Sequence, residues 1–150
     1  MYKKILVPVD DSQASLKALN EACKIAQETQ ATIAMVHVID LAQFSWGGTG
    51  YLQSGEVHNV GEEAGNRVLG AAREVVARYN NVKTEEHVLE NAGEKVAHVL
   101  AKKVTEYGCD LVVMGTHGFS GVMHLLMGSV AEGVLRQVDI PVMLVRHSDN

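Results

Sequence analysis

Asp110-Leu111-Val112-Val113-Met114-Gly115-Thr116-His117-Gly118-Phe119-Ser120-Gly121-Val122-Met123-His124-Leu125-Leu126-Met127-Gly128-Ser129 is the stretch that decides the fold. Its four consecutive apolar residues, Leu111 to Met114, read as a strand covered on both faces, as in a parallel sheet. A glycine-bearing loop, Gly115 to Gly128, follows. Val130, Val134 and Val138 then recur at helical spacing, predicting a helix over Ser129–Val138. The N-terminus repeats this plan. Ile5-Leu6-Val7-Pro8-Val9 is a second buried-strand run. Asp10-Asp11-Ser12 after it offers capping side chains. Leu16, Leu19, Cys23 and Ala26 mark a helix from Ser12 to Thr29.

The segments between follow the same alternation. Ala31 to Val38 reads as a strand. Asp40 to Glu56, with Gly47, Gly48, Gly50 and Gly55 among Phe44, Trp46 and Tyr51, reads as a long loop of the kind that is functional or mobile. Val57, Val60, Ala64, Val68, Ala71, Val75 and Tyr79 step by three and four along a helix. Val82 to Leu89 carries Lys83, Glu85 and Glu86, as suits an edge strand. Asn91 and Glu94 have capping-box spacing ahead of a helix marked by Val96, Val99, Leu100, Val104 and Tyr107, with Gly108 as its stop. Pro141 to Val145 is the last strand. The order βαβαβαβαβ predicts an α/β fold, an open doubly wound five-stranded parallel sheet with helices on both faces. Ligands of such sheets bind beyond the carboxyl ends of the strands where strand order reverses, which singles out Asp10, Val38 and the segment from Gly115.

Composition narrows the function. The 150 residues are one domain's worth, so a single domain over residues 1–150 is expected. Thirteen Lys and Arg against eighteen Asp and Glu give a net charge of −5, without the basic balance of a nucleic-acid binder. The apolar run after Lys4 is too short for a signal peptide, and no stretch approaches the ~18 apolar residues of a membrane span. A cytoplasmic location without membrane insertion is therefore expected. Cys23 and Cys109 form no C-x-x-C pair and read as buried structural thiols.

The loop from Gly115 has the makings of a phosphate cradle. Its glycines admit an anion close to backbone N–H groups. The helix opening at Gly128-Ser129 adds unpaired donors and a partial positive charge, and Ser129 adds a hydroxyl. No GxxxxGK[ST] or GxGxxG is present, and the loop has no Lys or Arg. Glycines serving only turns are the competing reading.

The spacing Gly115, two residues, Gly118, nine residues, Gly128-Ser129 resembles the nucleotide-binding signature of the universal stress protein family. Lys4 to Asp10 with Ser12, Val36-His37-Val38, Asp110 to Gly118 and Pro141 to Val145 are similar to that family's strands and turns, so the resemblance spans essentially the whole chain. It implies an adenine nucleotide alpha hydrolase-like sheet of order 3-2-1-4-5 and a homodimer. It also implies ATP as ligand; Mg²⁺, which typically binds phosphate plus one or two carboxylates, is expected to arrive with it. Carried over by position, Pro8, Val9 and Asp10 line the adenine and ribose side, and the Val38 backbone faces the adenine. Met114 and Gly115 fall on the ribose side. Gly118, Gly128, Ser129 and Val130 fall at the phosphates; from the residues of the loop itself, His117 or His124 is expected to help hold a phosphate. Asp10 could equally cap the first helix; the resemblance favours the nucleotide contact and leaves capping to its neighbours.

The family reading implies a stress-response regulatory protein, a nucleotide-dependent switch toward a regulatory partner the sequence does not identify. Ser120, Ser129, His117 and His124 form no recognisable triad, and a loop without Lys or Arg predicts slow ATP hydrolysis at most. His37 with Asp40, and Glu94 with His98, each lack a third ligand, so no dedicated metal site is expected. One alternative is a slow nucleotide hydrolase. The other is a dimeric interaction module in which nucleotide is structural, paired through the exposed edge Pro141 to Val145.

Overall fold

The computed structural model describes residues 1–41, 54–117 and 127–147. Strands β1 (Lys4–Pro8), β2 (Thr32–Asp40), β3 (Lys83–Asn91), β4 (Leu111–Gly115) and β5 (Val142–Val145) form one sheet in the order β3-β2-β1-β4-β5. Every pairing is parallel. Helices α1 (Gln13–Thr29), α2 (Ser54–Val76), α3 (Val96–Glu106) and α4 (Ser129–Gln137) connect them. This is the doubly wound sheet the alternation predicts, in the strand order the resemblance implies.

The continuous apolar runs split residue by residue between two cores. Ile5, Val7, Ile33, Met35, Leu111 and Val113 point to α1 and α2. Leu6, Ala34, Val36, Val112 and Met114 point to α3 and α4. Strand side chains alternate, so only a strand apolar at every position serves a sheet covered on both faces. Each such Leu, Ile or Val contributes about 1.5–3 kcal/mol by leaving water. Cys23 and Cys109 are buried free thiols, and burial pushes both up to about 11.

Helix ends follow local chemistry. Ser12 caps α1, its hydroxyl accepting from Ser15 N–H at 3.1 Å. Gly108, at φ +68°, closes α3. Its N–H reaches the Thr105 carbonyl, and Cys109 N–H reaches that of Val104, which is a Schellman ending. Asn91, by contrast, does not cap α3. It pairs with Asp40 as the last residue of β3, and its carboxamide instead clamps the following turn by bonding both Glu94 N–H and Glu94 C=O. The cap residue is Lys95, which makes no side-chain cap, and the Glu94 carboxylate pairs with Lys102.

α2 begins at Ser54, inside the stretch read as loop, and ends at Val76 rather than Tyr79. Its buried side is also rotated from the expected stripe: Val60 is exposed, while Leu69 and Ala72 join Val68 and Val75 in the core. The rest of the expected loop, with Phe44, Trp46 and Tyr51, lies outside the described residues. β3 is an edge strand, as its charges predict, and it is tied down by two ion pairs. Lys4 meets Glu85 at 2.9 Å, and Arg73 of α2 meets Glu86 through two hydrogen bonds. The Asp110 carboxylate accepts from Lys3 and Lys4 N–H, which fastens the chain start to the entrance of β4.

Candidate functional site

β1 is the strand at which the sheet's order reverses, with β2 on one side and β4 on the other. The helices that follow β1 and its neighbour β4 lie on opposite faces: α1 packs with α2, and α4 packs with α3. Their divergence opens a cavity of about 830 Å³ over the carboxyl ends of β1, β2 and β4. That size accommodates a small-molecule ligand.

Ten of the eleven site residues expected from the sequence line this cavity: Pro8, Val9, Asp10, Val38, Met114, Gly115, His117, Gly128, Ser129 and Val130. The eleventh, Gly118, lies outside the described residues, as do Ser120 and His124.

The β1 end is rigid. Val9 N–H donates to the Val36 carbonyl at 2.9 Å, and the Val9 carbonyl accepts from His37 Nδ1 at 2.9 Å. With both backbone groups engaged, Val9 supplies shape and apolar surface. A carbonyl only accepts, so His37 carries its hydrogen on Nδ1. The Asp10 carboxylate accepts from Ser12 N–H at 2.8 Å, and Asp10 N–H donates to the Ser15 hydroxyl at 3.0 Å. Ser15, buried on α1, thus holds the turn from beneath.

β2 outruns β1. Pro8 pairs with Val36, whereas β2 continues beside β3 as far as Asp40. The β1-facing edge of the last β2 residues, Val38 among them, therefore borders the cavity without a strand partner. An unpaired strand edge offers backbone donors and acceptors to a flat heterocycle.

At the β4 end, Gly115 has a steric reason. A Cβ there would lie 2.9 Å from Ala14 Cβ, so only glycine admits α1 this close. Gly128 has another. Its N–H donates to the Thr116 carbonyl at 2.6 Å, and a Cβ would lie 3.2 Å from that oxygen. The expected free donor at Gly128 is thus engaged in closing the neck of the loop. The task passes to the N–H groups behind it. Gly128 offers α4 no side-chain cap, and the first N–H groups of a helix have no partner within it. Thr116 is fixed on both sides, its own N–H donating to Val145. His117 Nδ1 lies 3.2 Å from the Thr116 hydroxyl, and His117 Nε2 is buried without a hydrogen-bond partner.

Sequence reasoning missed a whole wall. Gly61, Ala64, Arg67, Val68 and Ala71 of α2 line the cavity, and Val96 and Leu100 of α3 border it. The small residues at positions 61, 64 and 71 were the available signal. Arg67 is the only Lys or Arg among the described lining residues. Of the pairs weighed as metal ligands, Glu94 and His98 turn to other partners: His98 meets Gln137 while Glu94 meets Lys102. Among the described residues no three His, Cys, Asp or Glu groups gather as a cation site, and no helix is long and apolar enough to cross a membrane.

The universal stress protein family model matches residues 1–146. Universal stress protein MJ0531 of Methanocaldococcus jannaschii is 36% identical, the match covering 97% of this chain and 83% of the relative. YxiE of Bacillus subtilis is 32% identical over 97% of this chain and 100% of its own length. The solved UspA of Lactobacillus plantarum superposes with a TM-score of 0.80 at 23% identity, covering 97% of this chain and 98% of its own. Two further structures of the same fold hold adenine nucleotides. One is a universal stress protein in complex with cAMP, with TM-score 0.70, 22% identity and 98% of each chain covered. The other is from Archaeoglobus fulgidus in complex with dAMP, with TM-score 0.67 and 20% identity, covering 96% of this chain and 98% of its own.

Proposed function

Since the chain belongs to the universal stress protein family, we propose that it binds ATP in this cavity as a single-domain, cytoplasmic, nucleotide-dependent switch. The carrying observation is the convergence of the expected residues on one cavity at the strand-order reversal. The chemistry of its parts supports the assignment. Val9, Val36 and Val38 offer apolar surface for a base, beside the open backbone edge of β2. Asp10, held by the Ser12 and Ser15 contacts, offers a carboxylate to ribose hydroxyls. The uncapped start of α4 offers N–H groups and the positive end of a helix dipole to phosphates. The family structures holding cAMP and dAMP make an adenine nucleotide the natural ligand class.

Hydrolysis is slow at most on this reading, because a lone arginine and no lysine among the described lining residues gives a transferring phosphoryl group little charge stabilisation. Binding itself then carries the signal: ATP favours one surface state, and a regulatory partner reads it. Calorimetric titration of nucleotide-stripped protein tests the assignment. MgATP is expected to bind with micromolar affinity, tighter than AMP, because the added phosphates meet charge-assisted backbone donors. Absence of heat and of thermal stabilisation with either nucleotide would refute it.

The same reading includes a homodimer through β5. The strand forms the sheet edge, and Met143 on it is 40% exposed. Pairing with its copy about a two-fold axis would cover that edge. Sedimentation at micromolar concentration is expected to give a dimer, and a monomer there would exclude this pairing.

A further inference from the structure

We propose that His117 makes nucleotide binding proton-linked, so that the same site senses pH; this rests on the reading that the cavity holds a nucleotide phosphate at the start of α4. The observation is an orphan. Among the described residues, His117 Nε2 is the one buried side-chain nitrogen or oxygen without a hydrogen-bond partner. A buried polar atom left unpaired is costly, and such atoms mark places where a ligand completes the bonding.

Its position says which ligand. His117 lines the cavity with Gly128 and Ser129. A Cβ at Gly128 would sit 3.8 Å from His117 Cδ2, the ring carbon bonded to Nε2. The orphan nitrogen therefore stands at the mouth of α4, beside uncapped backbone N–H groups. An anion there is the shared acceptor of the helix donors and of the ring.

The other ring nitrogen permits a change of protonation. Nδ1 faces the Thr116 hydroxyl at 3.2 Å. A hydroxyl donates or accepts, so this contact survives whether Nδ1 carries a hydrogen or a lone pair. Thr116 does not move to make the change, since its N–H and C=O are held by Val145 and Gly128. A bound phosphate brings negative charge beside the ring and stabilises the imidazolium. Among the described residues, the remaining charged or titratable lining groups are Asp10 and Asp11 of the β1–α1 turn, His37 and Asp40 of β2, and Arg67 of α2. On α4 itself, Glu132 is held by Arg136. These groups are present with and without nucleotide, whereas the phosphate arrives with it.

The sign follows. The bound state holds the extra proton more tightly, so affinity is greatest at low pH and falls as pH rises through the imidazole's titration in the complex. The limit is about tenfold per pH unit for one full proton. The test is calorimetric titration with MgATP between about pH 6 and about pH 8, in buffers of different ionisation enthalpy. Wild type is expected to take up a fraction of a proton near neutrality. His117→Gln keeps an N–H donor without a titrating proton and is expected to lose this uptake and flatten the affinity profile. The nucleotide's own phosphate titration is common to both proteins and cancels in the comparison. A second measurement needs no variant: ¹⁵N NMR of the wild-type imidazole, where ATP is expected to move the His117 titration to higher pH and adenosine to leave it in place. Equal proton uptake by the variant, or a ring titration that ATP does not move, would overturn the inference while leaving the nucleotide site standing. A wild type that binds no nucleotide would overturn both.

Discussion

Gly133→Leu is expected to lower the thermal unfolding midpoint by about 4–8 °C. Gly133 lies within α4, where glycine costs about 1 kcal/mol relative to alanine. The reason for it stands on another helix. A Cβ at Gly133 would lie 2.5 Å from Ala97 Cβ on α3, far inside van der Waals contact. Ala97 is buried in the core that α3, α4 and one face of the sheet share. Any side chain at 133 must therefore prise two helices apart and loosen Leu100 and Val134 with them. Overpacking of this kind costs about 1–3 kcal/mol. Leucine falls at the upper end, partly offset by its better helix propensity. At about 2–4 °C per kcal/mol for a chain of this size, the stated shift follows. A double-mutant cycle isolates the contact. Gly133→Ala with Ala97→Gly exchanges the two small residues and is expected to recover at least about 1 kcal/mol relative to the sum of the single changes. Additive single effects would show that the helices do not meet here as tightly as described.

The second large effect concerns binding. Gly128→Val is expected to weaken ATP by about 100-fold or more while the protein stays folded. Gly128 has φ −72°, which valine adopts without strain. The difficulty is local: the new Cβ meets the Thr116 carbonyl at 3.2 Å and His117 Cα at 3.4 Å. The neck of the loop must open, and its valine methyls then occupy space in front of the Ser129 and Val130 N–H groups. Hydrogen bonds to a charged partner contribute about 1.5–3 kcal/mol each. Losing one or two reaches the stated factor, since about 1.4 kcal/mol is tenfold. Adenosine, which has no phosphate, is expected to lose much less. Calorimetry with ATP and adenosine, alongside a thermal melt, separates the outcomes. Undiminished ATP affinity in a folded Gly128→Val protein would remove the start of α4 from the site.

Much of the candidate site was legible because it is made of local features. A strand that is apolar at every position, followed by glycines and a helix opening, is a pattern of neighbours along the chain. Ser12 as cap and Gly108 as stop are likewise decided within one turn of helix. The strand ends near Asp10 and Gly115 could be located because the apolar runs stop there, whereas β2 continues past the expected end at Val38 to Asp40, with Ile39 buried. Asn91 was misread because two local roles competed. Capping-box spacing favoured a helix start, but pairing with Asp40 across the β2–β3 register kept Asn91 in the sheet.

What the sequence by itself determined is the alternation of strands and helices, the two-sided burial of the sheet, and the strand ends at which a ligand would be met. Periodicity and local hydrogen bonding set these, and both act over a few residues. Tertiary structure alone decided the rest. Gly133 and Gly115 owe their identity to alanines on other helices, a constraint no single segment contains. The face of α2 that brings Arg67 to the cavity depends on how that helix lies across α1 and β2. The Gly128 N–H is engaged because the chain returns to Thr116. Contacts between segments set by packing, rather than by pattern, separate what could be read along the chain from what had to be seen in space.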